Sequence, residues 1–154
     1  MSKEKLKIAL VASAGGHLSQ LCKVAKAWSD RSTFWVTTAH IVSGSLGEGS
    51  KVYVVGECNR EHLSRVIYVL FRCLSIVLKE RPNVVISTGA ASGCLMCLLG
   101  RLLGARIVWL DSITNVERVS LSGRLVRPFA DLFLVQWPEL AKKYRGAQYV
   151  GTIV

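Results

Sequence analysis

Three stretches of the chain carry residue types suited to chemistry at a ligand. The first is Ala12-Ser13-Ala14-Gly15-Gly16-His17, entered by the apolar run Ile8-Ala9-Leu10-Val11 and left by a helical pattern from Leu18. Gly15 and Gly16 let the backbone come close to a ligand and take up positive φ. A helix starting here offers free N–H groups and a positive partial charge, which suit a phosphate or another anion. His17 adds a side chain of the type that titrates near neutral pH. The second stretch, Thr88-Gly89-Ala90-Ala91-Ser92-Gly93, repeats the arrangement after Val84-Val85-Ile86-Ser87. The third is Asp111-Ser112, a carboxylate at the end of the apolar run 105–110, where parallel sheets place working groups. Each has a plainer reading: a tight turn for the glycines, a surface residue for the histidine, a helix or turn cap for Asp111.

Bringing these residues to one edge requires strands that run the same way. Apolar and β-branched runs predict strands over 6–12, 33–38, 51–55, 83–87, 105–110, 132–135 and 148–150. Helices are predicted from Leu18 towards Trp28, from about Arg60 to Lys79, from Cys94 to Leu103 and from Pro138 to Tyr144, with a short one broken near Pro128. Ser43 to Ser50, rich in glycine and serine, reads as a mobile loop. The first strand is aliphatic without alternation, as strands buried on both faces are. Strands alternating with helices throughout predict one α/β domain over 1–154, a doubly wound, Rossmann-like parallel sheet with right-handed crossovers. A stand-alone nucleotide-binding domain is an alternative. Against it, the first turn lacks Gly-x-Gly-x-x-Gly, and strand two ends Thr37-Thr38-Ala39-His40 without an acid.

Composition narrows the partners. Hydrophobic residues make up 51% of the 154, and mean hydropathy is +0.36. Yet the longest candidate segment, Val66 to Phe71, extended only through polar breaks at Arg72 and Ser75, falls well short of the ~20 apolar residues of a spanning helix. No signal-peptide pattern opens the chain, so a cytoplasmic protein is expected. Lys and Arg number 20 against 10 Asp and Glu, a net charge of +10 that favours polyanions. Zinc-finger spacing, an RNP-type aromatic signature and a basic arm are all missing, so nucleic acid is not the expected partner. The five cysteines are an odd number without a secretion signal, which argues against a disulfide framework. Cys94-Leu95-Met96-Cys97 lies in an apolar helical run and reads as core; no metal set and no cofactor is expected.

The helix predicted from Arg60 to Lys79 is unusual. Leu63, Val66, Ile67, Val69, Leu70, Phe71, Leu74, Ile76, Val77 and Leu78 cover most of its circumference. Arg65, Arg72 and Lys79 recur every seventh residue beside Tyr68 and Ser75. A helix on one face of a sheet needs only one apolar stripe. The excess fits either burial among neighbours or contact with an anionic bilayer surface.

Taken together, Gly15-Gly16-His17-Leu18 with Gln20-Leu21, Ser87-Thr88-Gly89-Ala90-Ala91, Ser122-Gly123-Arg124-Leu125 and the run Ala130 to Glu139 through Val135-Gln136-Trp137 resemble the Alg14-like proteins. That family includes bacterial capsule and exopolysaccharide proteins of the PssD/CpsF type. The resemblance implies the N-terminal, acceptor-binding half of a MurG-like GT-B glycosyltransferase. The donor half would be a separate Alg13/PssE-like chain that binds the UDP-sugar. It implies transfer of a sugar onto a polyprenyl-diphosphate-linked saccharide, within a heteromer on the inner face of the cell membrane. By the same resemblance Gly15 and Gly16, with Thr88, Gly89 and Ala90, would hold the acceptor and its diphosphate. His17 or Asp111 would take the proton of the attacking hydroxyl. Asp111 stands where many relatives have glutamate, and Asn115 where some have arginine. The lipid-linked acceptor favours the membrane account of the long helix, with Arg65, Tyr68, Phe71, Arg72 and Lys79 facing the bilayer. A non-catalytic membrane adaptor that recruits a glycosyltransferase is a further alternative.

Overall fold

The computed structural model describes residues 6–40, 46, 49–58 and 61–153. The chain runs β1 (Lys7–Val11), α1 (Gly16–Ala25), β2 (Ser32–Thr37), β3 (Lys51–Val54), α2 (Leu63–Glu80), β4 (Val84–Ser87) and α3 (Ala90–Leu102). It continues through β5 (Arg106–Leu110), α4 (Leu121–Val126), β6 (Leu132–Val135), α5 (Pro138–Lys143) and β7 (Ala147–Tyr149). The strands form one seven-stranded sheet in the order β3-β2-β1-β4-β5-β6-β7. Every neighbouring pair is parallel; β1 sets Ala9 beside Phe34 of β2 and Val85 of β4. The expected doubly wound α/β sheet is therefore present, with all seven predicted strands.

Alternation along each strand divides the core in two. Ala9 and Val11 point into the larger cluster, with Val69, Cys73, Ile76 and Val77 of α2, Met96 and Cys97 of α3, Val126 of α4 and Leu140 of α5. Ile8, Leu10 and Ala12 point the other way, against Leu18 and Leu21 of α1. So α1 covers one face and the remaining helices cover the other. Cys94 and Cys97 both belong to this packing, and all five cysteines are free thiols.

Three boundaries differ from the sequence expectation. Helix α1 begins at Gly16 and passes after Ala25 into a single 3-10 turn, Lys26–Trp28. Helix α3 begins at Ala90 rather than Cys94. The small residues ahead of Cys94 are already helical because they pack under the turn: a Cβ at Gly93 would lie 2.1 Å from Ser87 Oγ. Helix α2 starts at Leu63; Arg60, taken as its start, lies outside the described residues, as do 43–45 and 47–48 of the glycine-serine stretch.

Carboxylates lock the amino edge of the sheet. Glu80, at the end of α2, is buried, with Lys7 Nζ 2.7 Å from Oε2 and both Lys51 and the Tyr53 hydroxyl donating to Oε1. Burial pushes its pKa up, but the hydrogen bonds from Lys51, Lys7 and Tyr53 outweigh this and hold it at about 2. Asp131 likewise accepts from Ile107 N at 2.8 Å and Arg106 Nη1 at 3.0 Å, and the Ile107 N–H is the main cause of its lowered pKa. The carboxyl edge is left to the glycine turns.

Candidate functional site

Strands β1 and β4 are neighbours, yet the chain leaves β1 for a helix on one face and β4 for a helix on the other. Such a switch point opens a crevice at the carboxyl ends of the strands, the preferred ligand position in open α/β sheets. Both glycine turns meet there. His17, at the start of α1, and Thr88, at the end of β4, bind each other reciprocally. The His17 ring sets Nδ1 2.8 Å from Thr88 O, and the Thr88 hydroxyl donates to His17 O at 2.6 Å. A carbonyl oxygen only accepts, so Nδ1 carries a proton; in the neutral ring the lone pair is then on Nε2.

Gly89 makes this contact possible. Its φ is 139°, and a Cβ there would lie 2.5 Å from His17 Cε1 and 2.7 Å from Nδ1. Ala90 follows with φ 68°, a conformation that costs a side-chain-bearing residue about 1–2 kcal/mol. Ser87 steadies the bend from below, its Oγ accepting from Gly89 N at 3.2 Å. On the first turn Gly15 needs its glycine for φ 96°, whereas a Cβ at Gly16 would meet nothing within 4 Å. Both residues are exposed, so backbone stands open at the start of α1. The Thr38 hydroxyl accepts from Ala14 N at 3.0 Å and donates to Glu57 Oε1 at 3.2 Å, tying the turn to the ends of β2 and β3.

The expected site residues separate into two groups. Gly15, Gly16, His17, Thr88, Gly89 and Ala90 come together at the crevice. The Thr88 hydroxyl is buried and committed to His17, so it stiffens the turn. Asp111 is 1% exposed, and its oxygens accept from Trp109 Nε1, Ser120 Oγ, Ser120 N and Asn115 Nδ2 at 2.6–3.1 Å. Those four donors fill the roughly four acceptor positions of a carboxylate. The carboxylate thus organises the loop to α4, where Ser120 also caps the helix by accepting from Gly123 N. Gly123 leaves it room, since a Cβ there would lie 2.8 Å from Asp111 Oδ1.

Two contributors were not given a role at the site from sequence. Gln136, fully buried after β6, donates from Nε2 to Gln20 Oε1 on α1 at 2.9 Å and to Asp111 O at 3.1 Å. Its Oε1 accepts from Ile153 N at 2.9 Å. It joins the Asp111 loop, the helix that carries His17 and the segment after β7. Glu57 is the other, visible in sequence only as an acid after a glycine. For Gln136 the available signal was a polar residue closing the apolar run 132–135.

Helix α2 turns Val69, Cys73, Ile76 and Val77 inward, but leaves Leu63 71%, Phe71 63%, Tyr68 59%, Leu78 48% and Ile67 45% exposed. Arg65, Arg72 and Lys79 are also exposed, and Arg72 leans on the sheet by donating to Val54 O at 3.2 Å. Leu121 and Leu125 of α4 extend the exposed apolar surface. Among the described residues no helix is long and apolar enough to cross a membrane.

The model of the family described as "Oligosaccharide biosynthesis protein Alg14 like" matches residues 50–153. The UDP-N-acetylglucosamine transferase subunit alg14 of Schizosaccharomyces pombe is 30% identical, over 91% of this chain and 80% of the relative. The mouse subunit of that name is 28% identical over 99% of this chain and 85% of its own. Among solved structures, MurG of Acinetobacter baumannii superposes with a TM-score of 0.73 at 14% identity, over 96% of this chain and 45% of that one. The UDP-GlcNAc 2-epimerase of Methanocaldococcus jannaschii gives 0.69 at 15% identity, over 96% and 46%. These two likenesses are of fold, that of one GT-B-type half, and this chain spans less than half of either structure. By the family match and the fission-yeast relative together, the chain belongs to the Alg14-like family.

Proposed function

We propose that this chain is the acceptor-binding, membrane-associating half of a two-chain glycosyltransferase. A donor-half partner of the Alg13/PssE kind supplies a UDP-sugar, and the relatives' names point to UDP-N-acetylglucosamine. The acceptor is a saccharide on a polyprenyl diphosphate, and the product is a cell-surface polysaccharide such as a capsule or exopolysaccharide. One observation carries the reading: two glycine turns stapled at the switch point, with open backbone at Gly15 and Gly16 beside a histidine whose neutral form bears its lone pair on Nε2.

In this mechanism the diphosphate lies against the free N–H groups at the starts of α1 and α3. The acceptor hydroxyl passes its proton to Nε2 of His17 as its oxygen bonds to the anomeric carbon of the donor sugar. The bond from that carbon to the UDP oxygen breaks, and UDP leaves with the electron pair. Thr88 and Gly89 hold the imidazole; Asp111, its oxygens occupied, is a positioning residue for the loop to α4. The exposed Leu63, Ile67, Tyr68 and Phe71 enter the bilayer interface while Arg65, Arg72 and Lys79 meet lipid phosphates, on the inner face of the cell membrane.

Reconstitution tests the reading. Labelled UDP-N-acetylglucosamine, a polyprenyl-diphosphate-linked saccharide and the two chains together should yield labelled lipid, and this chain alone none. Full turnover by this chain alone contradicts the split-site account. Unchanged turnover for His17→Ala in the complex favours the adaptor alternative.

A further inference from the structure

An apolar trough of about 310 Å³ lies between the N-terminal turns of α2, α3 and α4. Ala91, Cys94 and Leu95 of α3 line it between Val66 of α2 on one side and Leu121 and Leu125 of α4 on the other, with Cys58 also contributing. Burial pushes the Cys58 and Cys94 thiols up from their ordinary pKa, so both are protonated and act as small apolar groups. Ala91 of this lining follows Ala90 of the second glycine turn in the chain. Leu121 and Leu125 of its wall are themselves 40% and 59% exposed, and Val66 stands next in the chain to the exposed Ile67 of α2. An apolar trough lined by a residue next to an anion-suited backbone turn, with exposed apolar residues on its wall, matches an amphiphile with a phosphate head and a hydrocarbon tail.

We infer that this trough binds the first isoprene units of the acceptor lipid. The inference rests on the acceptor reading above and extends it from the diphosphate to the chain. The tail then reaches the bilayer along protein surface, and the diphosphate is held at α3 by both ends. Recognition therefore depends on the hydrocarbon next to the phosphate as well as on the sugar.

The test uses the whole chain with three probes: inorganic pyrophosphate, farnesyl diphosphate and geranylgeranyl diphosphate. The prenyl diphosphates should bind at least about tenfold tighter than pyrophosphate, the gain expected from burying a few methylenes. They should also slow maleimide alkylation of Cys58 and Cys94, while Cys22, half-buried on the α1 side, keeps its rate as an internal control. Leu125→Glu and Leu121→Glu, at wall positions 59% and 40% exposed, should each erase the prenyl gain and leave pyrophosphate binding as it was. Prenyl binding no tighter than that of pyrophosphate, a gain that survives both substitutions, or protection confined to Cys22 overturns the trough. Gly16→Ala separates the parent reading. If the prenyl gain depends on Leu125 and no probe responds to Gly16→Ala, the trough stands and the glycine-turn diphosphate site fails; absence of binding by every probe overturns both.

Discussion

The ring of His17 is fixed by a bond it donates and by the glycine it faces, and these two constraints fail differently. Gly89→Ala forces a methyl into the ring at a backbone conformation that favours glycine. It should lower stability by about 2 kcal/mol in urea unfolding and displace the imidazole. Gly16→Ala meets nothing in the protein and sits in the first turn of a helix. It should raise stability by about 0.5–1 kcal/mol. If ligand approaches that backbone, as proposed, the same variant loses transfer activity; a stable variant with wild-type activity argues against ligand contact at Gly16. Residue types made the glycines and His17 legible in the sequence. The staple between His17 and Thr88 was not, because it joins positions 71 apart. Asp111 was legible as a carboxylate at a strand end, but its occupancy by Trp109, Asn115 and Ser120 depends on how the following loop folds back.

At the scale of elements, α2 does two jobs along one axis. Its inner side joins the larger core and its last residue closes the amino edge of the sheet. Glu80 has a pKa of about 2 in the fold against an ordinary 4.5. Below 4.5 the unfolded chain binds a proton that the folded chain refuses, so stability falls with acidification through this window. The contribution is fully present above 4.5 and is lost as pH drops through about 2. Its size is on the order of 2 kcal/mol once solvent screening at the half-exposed Lys51 is allowed for. Glu80→Gln should flatten the denaturation midpoint across that window; an unchanged acid slope contradicts the assignment. The outer side makes a separate prediction. Leu63→Glu with Phe71→Glu, both solvent-facing, should leave stability within about 0.5 kcal/mol yet weaken sedimentation with anionic vesicles. Wild-type binding should decrease at high salt, and a wild-type chain that binds no vesicles returns this face to ordinary surface. The excess of apolar residues on this helix was plain from spacing. Which of them faced outward followed only from the side the sheet occupies.

As a whole the molecule separates its edges by task. Ion pairs around Glu80 and Asp131 fasten the amino edge, while the carboxyl edge carries turns bent by Gly15, Gly89 and the strained Ala90. The parallel sheet follows from strands alternating with helices and from right-handed crossovers, which is why it was legible from sequence. Gln136, linking Gln20, Asp111 and Ile153, belongs to the tertiary level, where a single buried amide has no periodic signature. The central claim is that the stapled crevice is one wall of a transferase site completed by another chain. Its most direct test is the rate of labelled N-acetylglucosamine transfer to a polyprenyl-diphosphate-linked saccharide by the reconstituted pair, wild type against His17→Ala, with pair formation checked in both. The account predicts transfer only by the pair and a loss of about 100-fold or more in the variant, the range for removing a general base. Equal rates for wild type and variant, or full transfer by this chain alone, would contradict it.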